Sequence, residues 1–281
     1  MSGRDTNFYY SFLVLPPQKR KAIVAVWDFC RAVDDATDEV AGGDQARPEK
    51  ELARWRAELA ACFDGGVPQT SQGRSLLPFV GAFHLPRTAF EALIEGVEMD
   101  VAPRRYETFE DLYEYCIRVA SAVGLICLEI FGYRDPQSKQ YATELGVALQ
   151  LTNILRDVPG DLQRGRVYIP QADLRRFGCT EEDLEREASA AGGRVRSAAV
   201  KGLLQHQAER ARDYYARADR SLPPGDARQL VAARIMGAIY RRILDRIEAK
   251  DYDVFSSVVR IPRPERALIA GTTWLRTVLG G

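Results

Sequence analysis

Apolar residues recur every three or four positions along almost the whole of this chain, and this spacing constrains the fold more than any other feature. Residues on such a period share one face of an α-helix, whereas a strand needs strict alternation, of which the sequence has little. No repeat, low-complexity tract or long linker divides the chain. We therefore predict one all-α domain over residues 1–281, a helical bundle with a central cavity.

Proline and glycine residues place the ends of the individual helices. Pro17 and Pro86 stand at expected helix starts, and Gly132 follows an expected helix end. The apolar spacing predicts helices over residues 17–40, 48–62, 86–101, 109–131, 180–190, 194–221, 226–249 and 263–279, and one that starts at 135 and carries residues 150–157. Joints that contain proline are expected at 159–170, 222–224 and 262–264.

Two acidic motifs lie in different helices of this pattern. Asp34 and Asp38 are spaced i, i+4 in the first motif. Asn153 and Asp157 have the same spacing in the second, and Gln150 lies one turn earlier. Residues so spaced share a helix face, so two facing helices would bring together the hard oxygen ligands that suit Mg2+ and a phosphate group. Acidic pairs on helices more often form a solvated face, but the second motif lies in an apolar helix, where buried polar groups need partners.

Three arginines lie near these motifs, and each has two interpretations. Arg31 lies three residues before Asp34, Arg156 is adjacent to Asp157, and Arg166 lies in the loop that follows the second motif. Each either pairs with a nearby carboxylate or binds diphosphate, whose oxygens match the guanidinium fork. We favour diphosphate binding for Arg31 and Arg156, and both interpretations stay open for Arg166.

Gly124 and several aromatic residues also have two interpretations. A glycine inside a helix costs about 1 kcal/mol relative to alanine, so Gly124 either permits close helix packing or makes room for a long apolar substrate tail. For Tyr9, Tyr10, Trp27 and Tyr240, core packing is the default, and the alternative is that their ring faces stabilise a cation in a cavity.

Composition excludes several classes of site and partner. The 39 Lys and Arg residues balance 39 Asp and Glu residues, which argues against a nucleic-acid partner. Five scattered cysteines without a CxxC pair and two distant histidines disfavour a disulfide framework, a zinc site and a histidine-based catalytic triad. No signal-peptide pattern or membrane-spanning run is found, so we expect a cytoplasmic chain. The stretch ALIAGTTWLRTVL is interpreted as a packed terminal helix or, alternatively, an interfacial one.

Three runs of the sequence resemble one known family. They are FYYSFLVLPPQKRKAIVAVWDFCRAVDDATDE, LYEYCIRVASAVGL, and ALQLTNILRDV with the following GRVYIP. Together they resemble the squalene/phytoene synthase family over roughly residues 4–250. Within that family, FYYSFLVLP, RVASAVGL and IFG are most similar to bacterial presqualene diphosphate synthases of the hopanoid pathway, and phytoene synthases are close neighbours.

The resemblance implies a fold, an activity and partners. It implies an isoprenoid-synthase fold and a Mg2+-dependent prenyltransferase that condenses two molecules of farnesyl diphosphate to presqualene diphosphate, with release of diphosphate. The alternatives are a phytoene or dehydrosqualene synthase, or a catalytically silent helical scaffold. Peripheral contact with the inner membrane and association with other enzymes of squalene and hopanoid synthesis are further expectations. The resemblance to presqualene diphosphate synthases implies that NADPH is not consumed, and the absence of a GxGxxG fingerprint agrees with this expectation.

The resemblance also implies roles for individual residues. The implied catalytic residues and Mg2+ ligands are Asp34, Asp38, Asn153 and Asp157. The implied substrate-binding positions are Asn7, Trp27, Arg31, Gln150, Arg156 and Tyr240. Trp27 stands where the family usually has Tyr, and Asn7 stands where it usually has Ser.

Asp161 is the last acidic residue of the second motif and a further candidate metal ligand. The family usually has an acidic residue just before it, where this chain has Gly160. Pro159 removes a helical hydrogen bond and clashes with the preceding turn. We therefore expect the helix to end near Asp157 or Val158, which would leave Asp161 outside the helix and less important than Asp157.

Overall fold

The computed structural model describes residues 9–38, 47–102, 104–190 and 197–279, and within these ranges the regular secondary structure is helical throughout. The helices are α1 (Tyr9–Leu13), α2 (Pro17–Asp38), α3 (Arg47–Phe63), α4 (Ser71–Ala82), α5 (Arg87–Glu98), α6 (Phe109–Cys116), α7 (Ala122–Phe131), α8 (Ser138–Gln163), α9 (Gln171–Arg176), α10 (Glu181–Ser189), α11 (Ala198–Ser221), α12 (Val231–Ala249) and α13 (Arg263–Leu279). The all-α prediction is confirmed. None of these described helices is both long and apolar enough to cross a bilayer.

Helix α8 is the central element of the bundle. It packs against α7, α11 and α12, and most of the buried apolar side chains of the described ranges form one continuous core around it. Leu145, Leu151 and Leu155 contribute to this core from α8 itself. A helix buried on most of its surface can place polar side chains into the interior, where water does not compete for them.

The start of α8 is fixed by a buried carboxylate from another part of the chain. Asp226, which is 1% exposed, accepts hydrogen bonds from the backbone N–H groups of Arg134 and Asp135 and from the Ser138 hydroxyl, at 2.8–3.0 Å. Burial raises the pKa of this carboxyl, but the bonds from Asp135, Ser138 and Arg134 outweigh burial and hold the pKa below its usual value. The contact therefore anchors the helix that carries the second acidic motif.

Replacing Asp226 by alanine should lower the free energy of unfolding by about 2 kcal/mol at neutral pH, because buried donors lose a charged acceptor. The folded-state pKa is depressed, so this stabilisation is present above the unfolded pKa of about 4 and is lost as pH falls through the folded pKa. Urea unfolding of both proteins at pH 7 and below pH 4 measures the difference, which should shrink in acid. An equal difference at both pH values would contradict this account.

Helix α8 continues past Pro159 to Gln163, so the prediction that it ends near Asp157 or Val158 is wrong. The true stop lies at Gly165, whose φ of +70° is the left-handed conformation that ends many helices. The Arg166 N–H donates to the Asp161 carbonyl at 2.8 Å, and the Gly165 N–H donates to that of Leu162 at 2.9 Å. These two bonds satisfy two of the carbonyls at the end of α8, and the packing of this last turn offsets the hydrogen bond lost at Pro159.

The predicted helix over residues 109–131 is interrupted by a π-helical segment, Ile117–Ser121, between α6 and α7. Two glycines let other helices approach this segment. A Cβ on Gly146 would lie 2.6 Å from the Ser121 Cα atom, and one on Gly96 would lie 2.7 Å from a Val119 methyl group. A Cβ on Gly124 would lie 2.9 Å from the carbonyl oxygen of Ala142, so close packing explains that glycine, although it also lines the cavity described below.

Three helices, α1, α4 and α9, were not among the ranges predicted from the sequence. The α4 segment contains Gly73, Pro78 and Gly81, which weaken the apolar periodicity. Its start is fixed instead by Thr70, whose side chain accepts from the Gly73 N–H at 3.0 Å. The short helix α9 begins at Gln171, directly after the joint expected at 159–170.

Candidate active site

A cavity of about 530 Å³ lies among α2, α7, α8 and α12. Much of its wall is apolar, and the apolar lining includes Phe12, Leu93, Val119, Val123, Leu128, Phe131, Leu145, Leu149, Ile154 and Met236. Polar side chains enter it from α2, from the second half of α8 and from the segment that follows α8. The cavity therefore combines an apolar chamber with a set of charged groups, as a site for an amphiphilic substrate requires.

The first acidic motif reaches this cavity from α2. Trp27, Arg31 and Asp34 line the cavity, and their spacing of four and then three residues places them on one face of the helix. The Arg31 guanidinium lies 3.7 Å from the carboxylate of Asp35, so the simpler interpretation of Arg31, pairing with a nearby carboxylate, is observed. Asp38 is the last residue of α2, and its side chain lies outside the described part of the structure, as does Asn7.

The second acidic motif lines the same cavity from α8. Gln150, Asn153, Asp157 and Asp161 all contribute to the wall. The Asn153 side-chain amide donates to the Gln150 carbonyl oxygen at 3.4 Å, whereas its own oxygen, Oδ1, is buried and has no hydrogen-bond partner among the described residues. An unsatisfied buried acceptor is costly, so this oxygen is suited to a ligand that enters the cavity.

Asp161 belongs to the cavity wall, contrary to the expectation that it would lie outside the helix. It is 8% exposed and forms an ion pair with Arg164 at 2.7 Å. Burial raises the pKa of Asp161 to about 6; the ion pair with Arg164 opposes this rise, and the nearby Asp157 carboxylate adds to it. The continuation of α8 through Pro159 produces this placement, since one helical turn separates Asp157 from Asp161.

Arg156 is held by two groups of the cavity. Its guanidinium makes a bidentate contact with the Asp157 carboxylate at 2.8 and 2.5 Å, and it also hydrogen-bonds Tyr240. Burial lowers the pKa of Arg156, but these partners outweigh burial and raise it above its ordinary value. Pairing with a carboxylate is therefore observed for Arg156, as for Arg31, and diphosphate binding by either residue stays a prediction.

The oxygen donors of this cavity suit Mg2+ better than a softer metal. Among the described residues, no group of three or more His, Cys, Asp or Glu side chains is placed to hold a metal. Mg2+ does not require such a group, since it is usually bound by one or two carboxylates together with substrate phosphates and water. The carboxylates of Asp34, Asp157 and Asp161 and the unsatisfied Oδ1 of Asn153 fit that description.

Other predicted residues divide between the cavity and the surrounding core. Tyr240, like Trp27, lines the cavity, whereas Tyr10 packs against Arg266, whose guanidinium lies 5.7 Å from the centre of the ring. Arg164 and Arg166 also line the cavity. The polar part of the cavity therefore receives four arginines, two from the motifs and two from the segment that ends α8.

Sequence reasoning missed one polar cluster of the wall. Asp100, Tyr115 and Tyr168 all line the cavity, and both tyrosine hydroxyls donate to the Asp100 carboxylate. They come from the turn after α5, from α6 and from the segment after α8. Tyr115 and Tyr168 lie within two of the runs that resemble the family, LYEYCIRVASAVGL and GRVYIP, but no local spacing joins them to Asp100.

Comparisons with known proteins agree with this architecture. A 15-cis-phytoene synthase from Synechococcus elongatus is 38% identical over 272 residues, which cover 91% of this chain and 84% of that protein. The crystal structure of a dehydrosqualene synthase has a TM-score of 0.81 at 27% identity, and covers 95% of this chain and 90% of that one. A squalene synthase from Alicyclobacillus acidocaldarius has a TM-score of 0.75 at 31% identity, with 88% and 89% coverage.

The family model described as squalene/phytoene synthase matches residues 1–265, which is nearly the whole chain. This match agrees with the resemblance of the three sequence runs and with the isoprenoid-synthase fold of the related structures. The chain therefore belongs to the squalene/phytoene synthase family.

Proposed function

We propose that this chain joins two molecules of geranylgeranyl diphosphate head to head to form phytoene, with release of diphosphate. Members of the family are prenyltransferases, so an enzyme of the head-to-head isoprenoid synthase type is the starting point. The choice of product follows the phytoene synthases, which are 34–38% identical to this chain. These relatives favour the phytoene alternative over presqualene diphosphate formation from farnesyl diphosphate, which the sequence runs alone favoured.

A second candidate is the condensation of two molecules of farnesyl diphosphate to presqualene diphosphate. The observation that favours it is the 31% identity to the squalene synthase from Alicyclobacillus acidocaldarius, together with the fold similarity to a dehydrosqualene synthase. The two candidates share the polar chemistry and differ in the length of the prenyl chains that the apolar wall must accept.

The observation that carries the proposal is that polar side chains from two helices line one largely apolar cavity. Asp34 from α2 and Asn153, Asp157 and Asp161 from α8 line the same chamber as many aliphatic and aromatic side chains. A prenyl diphosphate has the matching chemistry, since its headgroup carries several negative charges and its tail is entirely apolar. A scaffold protein would gain nothing from buried, unsatisfied polar atoms such as Asn153 Oδ1.

The residues of the cavity support the difficult step of the reaction, in which diphosphate leaves an allylic carbon. Arg31 and Arg156 supply positive charge for the leaving diphosphate. Mg2+ held by Asp34, Asn153, Asp157 and Asp161 would, when bound, offset the remaining negative charge. The apolar wall excludes water that would otherwise quench the carbocation, and the ring faces of Trp27 and Tyr240 attract positive charge.

The test is a product assay with the purified chain, Mg2+ and each prenyl diphosphate in turn, analysed by mass spectrometry. We expect phytoene from geranylgeranyl diphosphate without NADPH. The value of kcat/KM should exceed that for farnesyl diphosphate by at least about tenfold, because each buried methylene contributes about 0.8 kcal/mol. Excess chelator should abolish turnover, and added Mg2+ should restore it.

The outcomes of this assay separate the candidates. Presqualene diphosphate from farnesyl diphosphate, at the higher kcat/KM, would replace the first candidate by the second. NADPH oxidation coupled to squalene formation would overturn both. The absence of a head-to-head product from either substrate, in a chain whose circular dichroism shows it to be folded, would support the scaffold alternative instead.

A further inference from the structure

Two tyrosine hydroxyls of the cavity wall share one carboxylate. The Tyr115 hydroxyl donates to Asp100 Oδ2 at 2.7 Å, and the Tyr168 hydroxyl donates to Asp100 Oδ1 at 2.9 Å. The two hydroxyl oxygens lie 3.4 Å apart, and the two rings stack with centroids 5.1 Å apart. All three residues line the cavity, so this cluster faces the chamber in which the prenyl chains would react.

The surroundings keep both phenols protonated. Burial raises the pKa of Tyr115 and of Tyr168 above their ordinary value, and the Asp100 carboxylate raises both further. A phenol has one proton to donate and two lone pairs with which to accept. Because each proton is directed to Asp100, neither phenol is free to donate into the cavity, and the oxygens can present only lone pairs there.

We propose that Asp100 is a positioning residue for the reaction proposed above. By accepting both hydroxyl protons, it orients Tyr115 and Tyr168 so that their oxygen lone pairs face the cavity and stabilise positive charge on the reacting prenyl chain. This inference rests on the proposed function and adds a residue that the two acidic motifs do not contain. Asp100 acts through the tyrosines and not through the diphosphate.

The carboxylate is required because it accepts on both oxygens. An asparagine of the same size would accept from one hydroxyl and donate to the other through its amide N–H. The phenol that receives this bond would lose a lone pair and turn its own proton elsewhere. Asp100→Asn therefore changes the direction of one hydroxyl without changing the packing volume, which separates orientation from simple filling of the core.

The experiment is a comparison of kcat, KM and products for the wild type and Asp100→Asn. We expect kcat to fall by about 10- to 100-fold, the range for loss of a hydrogen bond to a charged group. The KM for the prenyl diphosphate and the Mg2+ midpoint should change by less than about threefold, since uniform substrate binding is not affected. Prenyl alcohols, which form when water quenches the cation, should become a larger share of the products.

Tyr106→Phe provides the matched control. Tyr106 packs in the same cluster, with ring centroids 5.7 Å from Tyr115 and 6.0 Å from Tyr168, but it is not part of the cavity wall. Its buried hydroxyl has no hydrogen-bond partner among the described residues. Removing this hydroxyl should leave kcat within about twofold of the wild type, because no oriented group is lost.

Repeating the Asp100→Asn substitution in a protein that lacks both tyrosine hydroxyls tests whether Asp100 acts through the tyrosines. In a Tyr115→Phe/Tyr168→Phe protein, Asp100→Asn should have no further effect on kcat beyond about twofold, since coupled residues are not additive. An equal loss in both backgrounds, an unchanged kcat, or a change in KM alone would overturn the positioning role. If circular dichroism shows that Asp100→Asn does not fold, the Tyr115→Phe/Tyr168→Phe protein provides the test instead. A kcat equal to that of the wild type in this double variant would overturn the positioning role.

The wild-type product separates the two proposals. A wild type that makes no head-to-head product overturns the proposed function and, with it, this inference. A wild type that makes phytoene or presqualene diphosphate while Asp100→Asn behaves like the wild type overturns the inference alone.

Discussion

Replacement of Asp157 by asparagine should lower kcat by about a thousandfold or more while the fold persists. Asp157 lines the cavity and makes the bidentate contact with Arg156. The substitution keeps the size of the side chain and removes the charge that would bind Mg2+ and hold the guanidinium in place. Measurement of kcat at saturating Mg2+, together with circular dichroism, tests the expectation.

Asp213→Asn is the matched control for this substitution, because Asp213 is exposed on α11 and does not line the cavity. Its kcat should equal that of the wild type. Asp161→Asn should lower kcat by more than the modest factor expected for a residue outside the helix, because α8 places Asp161 in the cavity wall. A folded Asp157→Asn protein that keeps a tenth or more of the wild-type kcat, as an order-of-magnitude threshold, would remove Asp157 from the site.

Gly146→Ala should lower the free energy of unfolding by about 3 kcal/mol, the largest stability effect that we expect from one added methyl group. The new Cβ would lie 2.6 Å from the Ser121 Cα and 2.8 Å from its backbone nitrogen. Backbone atoms cannot rotate away as a side chain can, so α8 and the π-helical segment would have to separate. Urea unfolding with a two-state fit gives the difference.

Gly160→Ala is the same substitution in the same helix with the opposite expectation. Nothing lies within 4 Å of a Cβ built on Gly160. Alanine is favoured over glycine in a helix by about 1 kcal/mol, so this variant should be more stable than the wild type. If both variants lost stability by the same amount, helix packing at Gly146 would not be the cause.

The fold could be predicted from the sequence wherever apolar spacing was strong. The helix predicted over residues 263–279 has the observed bounds of α13, α2 begins at the predicted Pro17, and α3 differs from its prediction by one residue at each end. The failures came from local signals that tertiary structure overrode. Pro159 suggested a helix end, but the last turn of α8 is closed by the hydrogen bonds that the Gly165 and Arg166 N–H groups donate to its carbonyls.

The candidate site was predictable only in part, and for a related reason. Helical spacing identified Asn153 and Asp157 together, and the structure places both in the cavity. It could not identify Asp100 with Tyr115 and Tyr168, because these residues meet only when distant elements pack together. The roles of Asn7 and Asp38 stay predictions that the described structure does not reach.

The course of α8 along the cavity has an evolutionary consequence. Leu145 and Leu149 form an apolar wall from the first part of the helix, and the polar side chains of Asn153, Asp157 and Asp161 line the cavity from the second part. If the proposed function holds, substitutions in the first part would change the length of the prenyl chain that fits, and the polar groups of the second part would keep their roles. Such a division allows one ancestral scaffold to diversify into enzymes with different products through a few aliphatic substitutions.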